Sequence, residues 1–122
     1  MLQVAVAHLA DTAILHCVGR LVAGDEVRAL QDAVVSQADK RAVLLDLAGV
    51  DGIDAAGLGL LVFFQILGRA LGYELQLLSP SKRVREMLEI TKLDSVLAIC
   101  APDNVEMTTR LAQENGDRRA AA

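Results

Sequence analysis

The apolar run Ala42-Val43-Leu44-Leu45-Asp46-Leu47 and the segment soon after it constrain this chain more than any other stretch. That segment reads Asp51-Gly52-Ile53-Asp54-Ala55-Ala56-Gly57-Leu58-Gly59-Leu60-Leu61-Val62, and it stays almost free of polar residues until Gln65. A short continuous apolar run is the pattern of a strand covered on both faces. Asp54 is a helix-capping residue type, so the residues around it read as a turn and a helix start. Gly57 and Gly59 fall in the first turns of that helix, where each costs about 1 kcal/mol relative to Ala. Such a cost implies that something approaches this helix end closely. The segment is therefore taken as a contact site for a partner.

The rest of the chain arranges itself around this unit. Residues 3–9 and 12–18 are two apolar runs joined at Ala10-Asp11, the pattern of a hairpin. Gly19 and Gly24 bracket a loop, and Asp25 is placed to cap a helix over 26–38, where Val27, Leu30 and Val34 recur at helical spacing. The strand at 42–47 precedes a long helix over 55–71. Gly72 sits where a left-handed residue ends a helix. Residues 74–78 read as a strand. Ser79-Pro80-Ser81 opens a third helix with Ser as cap and an apolar face of Val84, Met87 and Leu88. Residues 96–99 are expected to form a last strand, and 103–113 a weak helix carrying Val105 and Leu111. Residues 114–122 are polar and alanine-rich and are expected to fray. The fold class is α/β: a mixed sheet of four to five strands with helices packed on it, in the order β-β-α-β-α-β-α-β with a final α in addition. Residues 1–113 are read as a single domain.

Composition narrows the function. The chain has 122 residues, enough for one domain with a real core. Its net charge of −4 argues against nucleic acid as main partner, because phosphate binding needs a concentrated basic face. Lys82, Arg83 and Arg85 form one small basic group, read as a solvated helix face. No run of about 18 apolar residues escapes a charge or a turn, so membrane insertion is not expected. Residues 1–9 lack a basic leader and alternate like a strand, so no secretory signal is expected. Two cysteines, Cys17 and Cys100, give no disulfide framework. A reducing cytoplasm is the expected compartment.

Candidate chemistry is sparse. His16 and Cys17 are adjacent in a strand and point to opposite faces, so they do not pair. No His/Cys spacing supplies the three or four converging ligands of a metal site. Asp11, Asp46, Asp51 and Asp54 are explained by turn and cap chemistry. Gly-Leu-Gly at 57–59 lacks the third glycine and the Lys-Ser/Thr ending of a phosphate loop. Neither a catalytic residue, a metal nor a cofactor is expected.

The long helix carries the site. At 100° per residue, Ala56, Gly57, Leu60, Phe63, Phe64, Leu67 and Leu71 fall on one broad side, taken as the core face. The opposite side carries Ala55, Leu58, Val62, Gln65, Ile66 and Arg69. Leu58, Val62 and Ile66 line up four apart as an apolar stripe where a surface helix should be polar. An exposed apolar patch of this kind is expected to be a protein interface. The partner-binding residues are therefore Asp54, Ala55, Ala56, Gly57, Leu58, Gly59, Val62 and Ile66.

These residues also carry a family likeness. The stretch Val43-Leu44-Leu45-Asp46-Leu47, Val50, Ile53-Asp54-Ala55-Ala56-Gly57-Leu58-Gly59, Leu77-Leu78-Ser79-Pro80, Val84-Arg85-Glu86-Met87-Leu88 and Leu93 resembles the STAS domain of bacterial anti-sigma factor antagonists. Gly19-Arg20-Leu21 and Asp25 resemble that family's second strand and first helix, so only the tail falls outside. The resemblance implies partner switching in the control of transcription. The domain would bind an anti-sigma factor with a serine-kinase fold, and the kinase would end binding by phosphorylating a Ser or Thr just after the Asp of the motif. Here Ala55 follows Asp54, and Ala56 comes next. Neither has a hydroxyl, so the lever of about −1.5 to −2 charge that a phosphoryl group supplies is missing at this position. Binding is then constitutive or is switched elsewhere. Two other roles are consistent with the residues: an accessory subunit of a transporter ATPase or a signalling scaffold, and a small nucleotide-binding protein. A homodimer is a further partner class.

Overall fold

The computed structural model describes residues 1–100. The predicted weak helix at 103–113 and the predicted fraying of 114–122 lie outside the described residues. Strands β1 (Leu2–Leu9) and β2 (Thr12–Leu21) pair antiparallel as the hairpin expected at Ala10-Asp11. Ala10 takes a positive φ of 53° at the turn. The chain continues through helix α1 (Asp25–Val35), strand β3 (Ala42–Ile53), helix α2 (Ala55–Leu71), strand β4 (Glu74–Leu78), helix α3 (Lys82–Ile90), a single 3-10 turn (Leu93–Ser95) and strand β5 (Ile99–Cys100).

The sheet has five strands in the spatial order β1-β2-β3-β4-β5, with every pair after the first parallel. Strand order follows chain order, and parallel crossovers are right-handed. All three helices therefore lie on one face of the sheet. The core agrees: Ala13, Leu15 and Cys17 of β2, Val43, Leu45 and Leu47 of β3, and Leu75 and Leu77 of β4 face that side. They meet Leu30 and Val34 of α1, Leu61 and Phe64 of α2, and Val84 and Leu88 of α3. Val43, Leu45 and Leu47 are fully buried under the helices, and Leu44, which points to the other face, is fully buried as well.

Several expectations shift. The third strand does not stop at Leu47 but runs to Ile53. Its register with β2 slips twice, between His16 and Val18 and between Gly19 and Arg20, so β3 carries the extra residue at each slip. Gly49 lies at the first of these bulges, where an added Cβ would stand 2.9 Å from the Cys17 carbonyl oxygen. The polar, glycine-containing stretch after Leu47 is thus bulged strand and not loop. Asp25 is the first residue of α1 and does not cap it; Gly24 holds the cap position at φ 111°, with no side-chain cap bond. The last strand is Ile99–Cys100, and the region before it forms the 3-10 turn. Helix α1 also stops at Val35, short of 38, and β2 runs past Gly19 to Leu21. The end of α2 is as expected: Gly72 closes it in the left-handed region at φ 95°. Ser81 caps α3 by accepting from the Val84 N–H at 3.3 Å. Its own hydroxyl donates to the Val50 carbonyl, tying α3 to the bulged part of β3.

Candidate functional site

The carboxyl ends of β2 and β3 meet at Leu21 and Ile53, which are register partners. The chain leaves β3 through Asp54, in extended conformation, and turns at once into α2. Asp54 organises this corner. Its N–H donates to the Leu21 carbonyl at 3.4 Å. One carboxylate oxygen accepts from the Gly57 N–H at 2.9 Å, the N-cap bond of α2. The other accepts from the Ala23 N–H at 2.9 Å, across the loop between β2 and α1. The N–H groups of Ala23 and then Gly57 hold the Asp54 carboxyl below its ordinary value. Loop 22–24 and the first turn of α2 are thereby fixed to one another at the strand ends.

The structure corrects the face assignment of α2. The line that packs on the sheet runs Gly57, Leu61, Phe64, Gly68. A Cβ at Gly57 would run into the Leu21 carbonyl oxygen and stand 2.8 Å from the Ile53 side chain. A Cβ at Gly68 would stand 2.7 Å from the Tyr73 carbonyl oxygen. The two glycines let the helix lie close to the sheet and to Tyr73, whose hydroxyl donates to the Phe64 carbonyl at 2.7 Å. What approaches Gly57 closely is this chain itself. Leu58 is 6% exposed and belongs to the core, so it does not belong to an outward stripe. Phe63 and Leu71, assigned to the core face from the sequence, are exposed instead, and Leu67 is half-buried. The helix is apolar around most of its circumference, so periodicity alone could not orient it. The spacing of Gly57 and Gly68, eleven residues apart and hence on one line of an α-helix, was the signal that could have done so.

The outward line of α2 runs from Ala55 and Ala56 through Gly59 to Val62, Phe63 and Ile66. Ala55, Ala56 and Gly59 are exposed, Val62 is half-buried, and Ile66 is 62% exposed. A Cβ at Gly59 would meet nothing within 4 Å. Of the residues expected at the site, Asp54, Ala55, Ala56, Gly59, Val62 and Ile66 come together at the surface, while Gly57 and Leu58 support it from beneath. Phe63 joins the surface and was missed.

The other candidates behave as surface or core. His16 Nδ1 lies 2.7 Å from an Asp46 carboxylate oxygen on the sheet face away from the helices. Cys17 points the other way and is buried, and that burial pushes its thiol up to about 12. Lys82, Arg83 and Arg85 lie on α3 and all three are exposed, as a solvated helix face requires. Among the described residues no group of three or more His, Cys, Asp or Glu could hold a metal, and no helix is long and apolar enough to cross a membrane. A cleft of about 510 Å³ opens at the far end of α2, lined by Arg41, Gln65, Arg69, Tyr73 and Glu74, away from the Asp54 corner.

Comparison with known proteins gives a family and a fold. A family model described as the STAS domain matches residues 3–112. No curated protein matches. Among solved structures, the anti-sigma factor antagonist SpoIIAA in its unphosphorylated form superposes with a TM-score of 0.72 at 15% identity, covering 88% of this chain and 96% of that one. The Bacillus cell fate determinant SpoIIAA in the phosphorylated form gives 0.69 at 16% identity, covering 89% and 99%. An anti-sigma factor antagonist from Mycobacterium paratuberculosis gives 0.74 at 18% identity, covering 90% and 95%. At these identities the likeness is one of fold.

Proposed function

Because the chain belongs to the STAS-domain family, we propose that it is a non-catalytic protein-binding regulator of the anti-sigma factor antagonist type. It docks an anti-sigma factor with a serine-kinase fold through the N-terminus and outward line of α2. The observation that carries this reading is the corner built by Asp54: a pinned helix start whose exposed residues are Ala55, Ala56, Gly59, Phe63 and Ile66. An apolar line beside a rigid helix end supplies what a protein interface needs, namely area to bury with little ordering cost. The fold neighbours described as anti-sigma factor antagonists support the same role. The domain comprises residues 1–113.

Ala55 holds the position after the capping Asp at which a phosphoacceptor hydroxyl would act. A phosphoryl group at a helix N-terminus is locally tolerated, but at an apolar interface it must be desolvated. With Ala at this position that switch is absent, and binding is constitutive with respect to it.

The test is a titration of the purified chain against the serine-kinase-type anti-sigma factor of the same genome. The expected result is a complex that Ala55→Asp weakens at least tenfold while circular dichroism stays unchanged. Incubation with ATP leaves the mass of the wild type unchanged, while Ala55→Ser gains one phosphoryl group. Absence of a complex overturns the reading. Phosphate added to the wild type overturns its constitutive part. Capture of a transporter ATPase in place of the anti-sigma factor transfers the same surface to another client and overturns the assigned partner.

A further inference from the structure

The sheet ends at β1, and that edge is open among the described residues. The register of β1 with β2 runs without a slip from Leu2 opposite Gly19 to Leu9 opposite Thr12. The Met1 carbonyl accepts from the Arg20 N–H. In an antiparallel strand the N–H and C=O of one residue point the same way, and the direction alternates along the chain. Gln3, Ala5, Ala7 and Leu9 therefore bond to β2 as Met1 does. Leu2, Val4, Val6 and His8 direct their N–H and C=O groups outward, and no described residue pairs with them. Natural edges are usually blunted by lysines, inward charges, prolines or bulges. Leu2–Leu9 has none of these: its sequence is Leu-Gln-Val-Ala-Val-Ala-His-Leu. Val6 is 41% exposed on the helix side of the sheet, next to half-buried Val4.

We propose that β1 pairs antiparallel with β1 of a second copy of this chain, joining the two sheets into one about a two-fold axis normal to them. The strand matches itself in one register. To keep the helices of both copies on one side, a residue must face one of the same parity. With Ala5 facing Ala5, Leu2 lies opposite His8 and Val4 opposite Val6. All four outward residues then fall in hydrogen-bonded pairs in both copies. Centring on Val4 leaves His8 without a partner, and centring on Val6 leaves Leu2 without one. In the Ala5 register the exposed Val6 is covered by Val4 of the second copy. On the other sheet face only Gln3, Ala5 and Ala7 approach, so neither bulk nor charge opposes the contact. The net charge of −4 resides elsewhere in the chain. This self-match is what favours a second copy over an unrelated strand.

The experiment is sedimentation equilibrium of the full chain from low to high micromolar concentration. A monomer–dimer equilibrium is expected. Val6→Pro removes an N–H that points outward, so the ladder to β2 survives and the dimer is lost. Val6→Lys places a charge on the same edge and raises the dissociation constant at least tenfold, with an unchanged circular dichroism spectrum. Ala5→Pro instead breaks the bond to β2 and destabilises the monomer. In a Cys100→Ala background, Ala5→Cys closes a disulfide-linked dimer on mild oxidation and Gln3→Cys, which faces Ala7, does not. A wild type that stays monomeric throughout overturns the proposal. So does a dimer that survives both Val6 variants while they remain folded, and crosslinking through Gln3→Cys but not Ala5→Cys overturns the register.

Discussion

Asp54 and Ala23 are joined across the ends of β2 and β3: an Asp54 carboxylate oxygen accepts the Ala23 N–H at 2.9 Å while the other oxygen caps α2 at Gly57. One side chain thus locks the β2–α1 loop to the start of the helix that bears the candidate site.

The charge state of Asp54 should therefore be visible in acid. The N–H groups of Ala23 and Gly57 favour the carboxylate and lower its affinity for a proton in the folded chain. The unfolded chain takes up that proton near pH ~4. The stabilisation is complete above the unfolded value and is lost as pH falls through the lower folded value. Urea titrations from about pH 6 downward should show the wild type losing stability over this window and Asp54→Asn losing less. Asp54→Ala should lower stability at neutral pH, because the Ala23 and Gly57 N–H groups lose their acceptor. Equal pH slopes for wild type and Asp54→Asn would mean the carboxylate is not held as described.

Gly57 and Gly59 should respond oppositely to Ala, although they are two residues apart in the same helix. Gly57 faces the Leu21 carbonyl and the Ile53 side chain and has no room for a Cβ, whereas Gly59 faces open space. Gly57→Ala should destabilise by about 1–3 kcal/mol, the cost of overpacking. Gly59→Ala should stabilise the isolated chain by up to about 1 kcal/mol, since the helix gains propensity and nothing obstructs the methyl. Chemical denaturation of both variants decides this. Under the proposed function Gly59→Ala should also weaken the partner complex, which would explain why a glycine stands where the fold needs none.

Much of this architecture can be read from the sequence, and the part that cannot has a definite cause. The limits of α2 and β4 come from the cap at Asp54, the left-handed Gly72 and the apolar run at 74–78. The bulged half of β3 was hidden because Ala48, Gly49, Asp51 and Gly52 look like loop, and only pairing with β2 makes them strand. The orientation of α2 was hidden because leucine, valine, isoleucine and phenylalanine surround the helix. The Asp54–Ala23 bond joins residues 31 apart and has no local signature.

Leu58 and Ile66 separate fold from surface. Leu58 is 6% exposed and packs in the core, so Leu58→Ala should cost about 2–5 kcal/mol. Ile66 is 62% exposed, so Ile66→Lys should change stability by less than about 0.5 kcal/mol. If α2 docks a partner through its outward line, Ile66→Lys weakens the complex while leaving the denaturation midpoint in place. A midpoint shift for Ile66→Lys as large as that for Leu58→Ala would place Ile66 inside the molecule.

Cys17 gives the chain a limit in base. Its side chain lies in the core beneath the sheet, and burial first, then the negative charge of Asp46, push its thiol up to about 12. In the unfolded chain a thiol ionises near pH ~8.5. Between these values the unfolded chain has released a proton that the folded chain retains. Stability must then fall as pH rises, by at most about 1.4 kcal/mol per pH unit. Denaturation midpoints measured between about pH 7 and 10 should drop more steeply for the wild type than for Cys17→Ala, because the other basic-range groups are common to both. Parallel curves would show that the thiol titrates alike in both states. A thiol reagent gives an independent reading: Cys17 should be modified only as fast as the core opens, since the reactive thiolate does not form while the strand is in place.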